Sequence, residues 1–243
     1  LCIFPETFAE TAFHWQHGPR AIWWLSVDNF RSSHPHLLHP RSSNYLFSDE
    51  SILHFYQSHY AQNFLRQQGA RNLYPLYDYT ADCYLQQQAE SHLNSKSVDI
   101  TFFPRKGAAL AHRFLQSSRH DLRSSALERM SQCEIMAALA SSHVYIDFGH
   151  HPGKDRVPRE AACMGNIVFL HKQGAAVFFE DHPLDSHYLF TTEELMSGNL
   201  LAKVKDVLQD TETHFKRQAQ YRHRITMEKQ EFDWQVRTIF GCN

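Results

Sequence analysis

A charged loop in the second half of the chain carries residue types that could bind an anionic substrate. Five charged side chains lie close together there: Lys154, Asp155, Arg156, Arg159 and Glu160. Cations beside the first turn of a helix favour an anion such as a phosphate, because free backbone N–H groups and positive charges act together. A carboxylate at the same place can accept hydrogen bonds from sugar hydroxyls. The residues alone are equally compatible with a solvated loop in which acidic and basic groups pair.

The elements around this loop form a pattern typical of a parallel α/β sheet. Residues 144–148 are a short apolar run that predicts a buried strand, and residues 167–170 predict a second one. Between them, Pro158 suits the first position of a short helix and Gly165 suits the position just past its end. The loop over 149–157 therefore lies at the carboxyl end of a strand, where open α/β sheets bind ligands.

The start of this helix carries a family resemblance. Residues 158–168, Pro-Arg-Glu-Ala-Ala-Cys-Met-Gly-Asn-Ile-Val, resemble the Pro-x-x-Glu-Ala-x-x-x-Gly-x-x-Val signature in the C-terminal domain of GT-B-fold glycosyltransferases, with the proline one position closer to the glutamate. The resemblance implies that Glu160 holds the ribose of a nucleotide-sugar donor. It also implies that the preceding loop, with His150, His151 and Gly153, faces the donor sugar and diphosphate. Pro158, at the start of the helix, belongs to the same implied donor site.

A second loop is similar to another part of the donor site in this family. Residues 104–107, Pro-Arg-Lys-Gly, follow a strand predicted over 98–103. They are similar to the Arg…Lys-Gly element that grips the donor diphosphate, although Arg and Lys are adjacent here. The resemblance thus assigns the diphosphate to four cations: Arg105, Lys106, Lys154 and Arg156.

The resemblance implies an α/β fold of the GT-B type, with two Rossmann-like domains built on parallel sheets. We expect a short first domain over residues 1–79, a nucleotide-sugar-binding domain over 80–225, and a C-terminal helix over 226–243 that packs back on the first domain. We interpret the first domain as incomplete, because GT-B enzymes usually have more residues than this chain. Three further elements are predicted from the sequence: a strand at 44–47, a glycine turn with a short apolar strand over 174–179, and a helix over 126–141.

The expected function is the transfer of a sugar, of the hexosyl type, from a nucleotide-diphosphate donor to a hydroxyl acceptor. The acceptor would be a glycan or lipid-linked glycan in bacterial surface polysaccharide synthesis. Cations and a helix N-terminus can stabilise the departing diphosphate without a metal, and we expect no cofactor. An inverting enzyme also needs a base, for which Asp28 and then Glu6 are candidates at strand ends, although both suit turns or caps.

Three points stay open in the sequence. The second glutamate of retaining family-four enzymes is replaced by Pro152, so the stereochemistry is not assigned. A second interpretation of the chain is a nucleotide-sugar 2-epimerase, which has the same fold. A non-catalytic partner domain is the third interpretation, and an exposed aromatic patch at Trp15, Trp23 and Trp24 would favour it.

Composition and charge help to decide which other classes of protein the chain could belong to. A formal net charge of −2 and an isoelectric point near 6.8 give no support for nucleic-acid binding. Five scattered cysteines indicate a reduced, cytoplasmic protein. No metal-ligand motif stands out. His34, His36 and His39 are interpreted as part of a flexible surface loop in preference to the alternative, a metal site. Without a membrane-spanning run, any contact with the inner face of a membrane is expected to be peripheral, and the oligomeric state is left open.

Overall fold

The computed structural model describes residues 1–38, 46–87 and 96–241. Contacts between Cα atoms divide the chain into two compact units. The first unit comprises Leu1–Tyr79, His151–Lys154 and Glu228–Asn243, and the second comprises Thr80–His150 and Asp155–Met227. A parallel β-sheet forms the centre of each unit.

The first unit is built on a four-stranded sheet in the order β1-β2-β3-β4. Its strands are β1 (Cys2–Pro5), β2 (Arg20–Trp24), β3 (Ile52–Tyr56) and β4 (Leu73–Pro75), and its helices include α1 (Ala9–His14), α2 (Val27–Ser33) and α3 (His59–Gln67). Ser26 and Ser58 cap α2 and α3, because each hydroxyl accepts a backbone N–H of the first turn. The aromatic residues Trp24, Phe30 and Phe64 fill the core between sheet and helices.

The second unit is built on a five-stranded sheet in the order β6-β5-β7-β8-β9. Its strands are β5 (Val98–Phe102), β6 (Ser124–Ala126), β7 (Ser142–Asp147), β8 (Ile167–His171) and β9 (Leu189–Phe190). The helices are α4 (Asp82–Leu85), α5 (Ala108–Ser118), α6 (Gln132–Ser141), α7 (Arg156–Cys163), α8 (Thr192–Met196), α9 (Asn199–Gln209), α10 (Thr211–Arg217) and the start of α11 (Ala219–Phe240). The central strands β7 and β8 are almost wholly buried, with apolar runs at 144–146 and 167–170, as expected of a parallel sheet covered on both faces.

The long C-terminal helix α11 contributes to both cores. Near its start, Tyr221 and Ile225 belong to the core of the second unit. From Glu228 onward the helix belongs to the first unit. There, Phe232, Val236, Ile239 and Phe240 pack against a small cluster formed by Ala21, Phe55 and Leu76. Within the described residues, no helix is both long and apolar enough to cross a membrane.

Three predicted elements differ from the structure. Residues 44 and 45 lie outside the described residues, and Leu46 and Phe47 begin a helical turn instead of ending a strand. The helix predicted over 126–141 starts at Gln132, because Ser131 and Glu134 form a capping box there and Ser124–Ala126 pair with β5. The strand predicted over 174–179 is a 3₁₀ turn at Ala175–Val177, which follows Gly174 at a positive φ of 59°.

Candidate functional site

Two loops of the second unit meet at the carboxyl edge of its sheet, and glycine makes their close approach possible. Gly107, with φ of +67°, ends the loop after β5, and a Cβ there would lie 2.1 Å from the carbonyl oxygen of Phe148. Gly149 follows β7, and a Cβ there would lie 2.1 Å from Cγ of Lys106. A side chain at either position would collide with its neighbour. The β5 and β7 loops are therefore packed against each other at the edge where ligands bind in such sheets.

The Lys106 side chain connects these loops through ion pairs. Its ammonium donates to Asp147 Oδ2 at 3.3 Å and also pairs with Asp155. The Asp147 carboxylate, which is 3% exposed, accepts a further hydrogen bond from Gly149 N at 3.0 Å. Burial, followed by the charge of Asp147, raises the pKa of the neighbouring Tyr145 well above its usual value. Lys106 therefore lies between two carboxylates of its own unit. These pairings were not predicted, because Asp147 lies within the apolar run that indicates a buried strand.

Glu160 lies on α7 and is held by a buried tyrosine. The hydroxyl of Tyr84, a residue only 2% exposed on α4, hydrogen-bonds to the Glu160 carboxylate. Burial raises the pKa of Glu160, and the charges of Arg156 and Arg159 oppose that shift. Burial and the charge of Glu160 in turn raise the pKa of Tyr84 to about 12. The carboxylate is thus oriented by Tyr84, a residue that sequence reasoning missed because it lies far away in the chain.

The helix that carries Glu160 begins earlier than predicted. Its first residue is Arg156, so Pro158 lies at the third helical position instead of the first. Proline is still tolerated there, because the N–H groups of the first turn have no partner within the helix. Asp155 occupies the N-cap position, but its side chain makes no capping bond and pairs with Lys106 instead. The buried Arg159 donates through Nε to the Asp155 carbonyl at 3.2 Å.

Two of the predicted donor-binding cations are exposed at this edge. Arg105 lies in the turn after β5 and Arg156 begins α7. Among the described residues, neither guanidinium makes a hydrogen bond or an ion pair with a protein group, although the charge of Arg156 acts on Glu160. These two side chains can therefore bind an anion without first breaking a contact within the protein.

Lys154 and its neighbours lie among residues of the first unit. The Lys154 side chain is 4% exposed, and its ammonium pairs with Glu228 Oε1 at 3.0 Å and lies 4.9 Å from the ring centre of Tyr77. Gln57 Oε1 accepts from Lys154 N at 2.9 Å, and Gln57 Nε2 donates to Lys154 O at 3.1 Å. The Lys154 charge is therefore buried and paired within the protein, and it is not exposed to a ligand.

The remaining residues of the predicted loop differ in exposure. A Cβ at Gly153 would lie 2.2 Å from the carbonyl oxygen of Leu25, so this position also requires glycine. His151 is fully buried, and His150 is exposed. At Gly153 the loop therefore lies close to the backbone of Leu25, and the neighbouring Pro152 carbonyl accepts a hydrogen bond from Val27 N at 3.1 Å.

The two candidate bases lie at the carboxyl edge of the first sheet. Glu6 follows β1, is 3% exposed, and accepts a hydrogen bond from Leu25 N at 3.1 Å. Burial raises the pKa of Glu6, while backbone hydrogen bonds oppose the shift. Asp28 lies in the first turn of α2, where it accepts from Tyr60 Oη and Arg31 Nη1, each at 3.3 Å.

The tryptophans do not form the exposed patch that a partner domain would favour. Trp24 is fully buried in the core of the first unit, and Trp15 and Trp23 are half-buried. Trp23 also donates through Nε1 to the Leu76 carbonyl at 2.8 Å. Within the described residues, these three side chains are part of the packed interior or its margin.

Comparison with known proteins shows a likeness in structure only. No protein-family model matches the chain, and no curated protein sequence matches it. A glycosyltransferase from Rickettsia africae ESF-5 is similar in structure, with a TM-score of 0.63 and 11% identity over 99% of this chain and 76% of that one. Sucrose-phosphate synthase from Thermosynechococcus elongatus gives a TM-score of 0.64 and 11% identity over 99% of this chain and 74% of the other. Two units with parallel sheets and this likeness confirm the predicted fold, and the chain has a GT-B-like glycosyltransferase fold.

Proposed function

We propose that the protein transfers a sugar, of the hexosyl type, from a nucleotide-diphosphate donor to a hydroxyl acceptor, and that the second unit binds the donor. The observation that carries this proposal is the arrangement at the carboxyl edge of the second sheet. Glu160 is oriented there by Tyr84, and the exposed Arg105 and Arg156 stand on the adjacent loop and helix. The GT-B-like fold supports the same conclusion.

Each of these residues has a chemical role in the proposal. The Glu160 carboxylate accepts hydrogen bonds from the ribose hydroxyls. Arg105 and Arg156 bind the diphosphate and stabilise the charge that develops as it departs. Guanidinium groups suit this role, because their planar set of donors matches phosphate oxygens. The proposal does not use Lys154, whose charge is paired with Glu228.

The proposed transfer step is metal-independent and uses no cofactor. Asp147 and Asp155, the carboxylates on either side of the loop between β7 and α7, are both paired with Lys106. An ammonium therefore occupies the position at which these carboxylates would otherwise attract a divalent cation. Positive charge for the leaving group comes instead from the two arginines and the start of α7.

If the reaction inverts the sugar, a base must take the proton of the acceptor hydroxyl. Burial raises the pKa of Glu6, and a base is most effective when its pKa approaches the working pH, so Glu6 is the favoured candidate, although its carboxylate also accepts a hydrogen bond from Leu25 N. Asp28, the first candidate from the sequence, is already engaged by Tyr60 and Arg31. We propose a glycan or lipid-linked glycan of a bacterial surface polysaccharide as the acceptor, and the cytoplasm as the site of the reaction.

The proposal is tested first by thermal-shift and calorimetric titration of the full chain. The ligands are UDP-, GDP-, ADP-, CMP- and dTDP-linked sugars, and the proteins are the wild type, Arg105→Ala and Arg156→Ala. A charge-assisted hydrogen bond is worth enough that each substitution should weaken donor binding roughly tenfold. Arg113→Ala, which removes an exposed arginine from α5, is the matched control and should bind like the wild type.

Binding of one nucleotide class to the wild type and to Arg113→Ala, with loss in the other two variants, would support the donor site and name the nucleotide. If none of the donors raises the melting temperature of the wild type, the proposal fails.

A further inference from the structure

A cavity of about 530 Å³ in the first unit contains an unusual set of side chains. It lies beside α1 and the segment after α2, and His34 and Glu10 are among its lining residues. His36 joins them from the adjacent 3₁₀ turn, Pro35–Leu38. One ligand atom from each of Glu10, His34 and His36 lies within 4.8 Å of the other two. Two imidazoles and a carboxylate are a ligand set that suits zinc and similar divalent metals.

The burial and hydrogen bonding of His34 support metal binding. His34 is 8% exposed, and its Nε2 lies 2.8 Å from the carbonyl oxygen of Thr7. A carbonyl can only accept, so Nε2 carries the proton and Nδ1 carries the lone pair. Nδ1 is buried and has no hydrogen-bond partner within the described part of the chain. Metal-bound histidines typically donate their other ring N–H to such an oxygen, which fixes the tautomer and the orientation of the ring.

The other two ligands are free to adjust. The carboxylate of Glu10 and Nε2 of His36 lie 3.7 Å apart, and both side chains are more than half exposed. Tetrahedral zinc, with bonds of about 2.0–2.1 Å, needs its ligand atoms roughly 3.3–3.5 Å apart. Small rotations of these exposed side chains toward the fixed His34 ring would bring the three ligand atoms to that spacing.

Charge distinguishes this cluster from a second one in the other unit. His187, Asp206 and His214 also place ligand atoms within 4.8 Å of one another. There, the charges of Lys203 and Arg217 act on His187, which opposes the binding of a cation. Among the described residues that line the cavity of the first unit, none is a lysine or an arginine.

We propose that Glu10, Nδ1 of His34 and Nε2 of His36 form a binding site for a divalent transition-metal ion of the zinc type. With three protein ligands, the ion keeps at least one coordination position open toward the cavity. The site joins α1, the residue after α2 and the following 3₁₀ turn, so the ion stabilises this corner of the first unit. It is independent of the donor residues in the second unit, and the proposed sugar transfer does not use it.

The test is calorimetric titration of the full chain with ZnCl₂. We expect the wild type to bind zinc, and Glu10→Gln and His36→Ala to bind at least about tenfold more weakly, because each loses a ligand. Both positions are exposed, so these variants are expected to fold even if His34→Gln does not. His17→Ala is the matched control, since His17 is exposed and lines the same cavity outside the cluster. Cobalt substitution adds a second measurement, because its visible absorption reports histidine coordination.

Three outcomes would overturn the proposal. The first is equal zinc affinity in the wild type, Glu10→Gln and His36→Ala, and the second is no zinc binding to the wild type. The third is loss of binding in His214→Ala alone, which would place the ion on the second cluster. Nucleotide-sugar titration of the same variants separates this result from the proposed function, because their donor affinity is expected to equal that of the wild type.

Discussion

Lys106 shows how a single charge can hold two loops together. Its ammonium is paired with Asp147, a carboxylate that is 3% exposed, and with Asp155. Lys106→Met keeps the length of the side chain and leaves Asp147 without its cation. Because an unpaired buried carboxylate is costly, we expect the free energy of unfolding to fall by roughly 3 kcal/mol in urea denaturation.

Two further variants isolate this effect. Lys106→Met combined with Asp147→Asn should regain part of the loss, since no buried charge then remains unpaired. Lys216→Met removes an exposed lysine that pairs with Glu212 at 2.5 Å, and it should leave the stability nearly unchanged. Equal stability of Lys106→Met and Lys216→Met would contradict the role given to Lys106.

Sequence reasoning located the charged residues of the site but not their contacts. Arg105 and Lys106 are neighbours with the same charge, yet one is exposed and the other is held by two carboxylates. Lys154 and Arg156 differ in the same way. The pairing depends on acidic residues that come close only after folding, and one sequence contains no sign of that proximity. The donor-binding roles of these residues remain predictions.

Among the elements, the loop before α5 depends on one glycine. Gly107 has φ of +67°, and a Cβ there would lie 2.1 Å from the Phe148 carbonyl oxygen, whereas a Cβ at Gly69 with φ of +89° meets nothing within 4 Å. Gly69→Ala should lower the free energy of unfolding by about 1–2 kcal/mol, because only the backbone conformation is strained. Gly107→Ala must also displace the β7 loop, so we expect it to cost at least about 1 kcal/mol more in thermal or urea unfolding. Equal losses would show that the two loops can separate freely.

The elements follow the sequence where local signals are strong. Ser58 predicts the start of α3 as an N-cap, and its hydroxyl does accept from Ala61 N. Strands β7 and β8 were predicted from continuous apolar runs. The short strands β6 and β9 were not predicted, because two or three residues at a sheet edge carry no periodicity.

For the whole molecule, a buried histidine links stability to pH. Trp24 Nε1 donates to His54 Nδ1 at 3.1 Å, and His54 is 1% exposed. Burial lowers the pKa of His54 from 6.5 to about 4. The unfolded chain therefore binds a proton that the folded chain excludes, and stability falls as the pH drops from the unfolded pKa to the folded one. We expect a loss of roughly 3 kcal/mol from this residue over that range.

Urea denaturation at a series of pH values measures this loss. His54→Asn is the matched variant, since its side-chain oxygen can still accept from Trp24 but does not titrate. Its stability should be lower at neutral pH and should depend less steeply on pH below about 6.5. If the free energy of unfolding changes with pH in the same way in the wild type and in His54→Asn, then His54 is not the source of the pH dependence.

The architecture was predictable from the resemblance at Glu160 and Gly165 and from the alternation of strands and helices. The GT-B-like fold is confirmed by the structural likeness. Other features required the three-dimensional structure, because they join distant segments. The Tyr84 bond to Glu160 and the set of Glu10, His34 and His36 are examples.

The central claim is that Glu160 binds the ribose of a nucleotide donor, and deoxynucleotides test it most directly. The measurement is the ratio of affinities for the ribonucleotide diphosphate and its 2′- and 3′-deoxy forms, in the wild type, in Tyr84→Phe and in the double variant Tyr84→Phe, Glu160→Ala. The shared Tyr84→Phe change avoids a buried, unpaired hydroxyl in the double variant. We predict a preference of roughly tenfold for the ribonucleotide in the wild type, a smaller one in Tyr84→Phe, where Glu160 loses the bond that orients it, and none in the double variant. The same preference in all three proteins would contradict the claim.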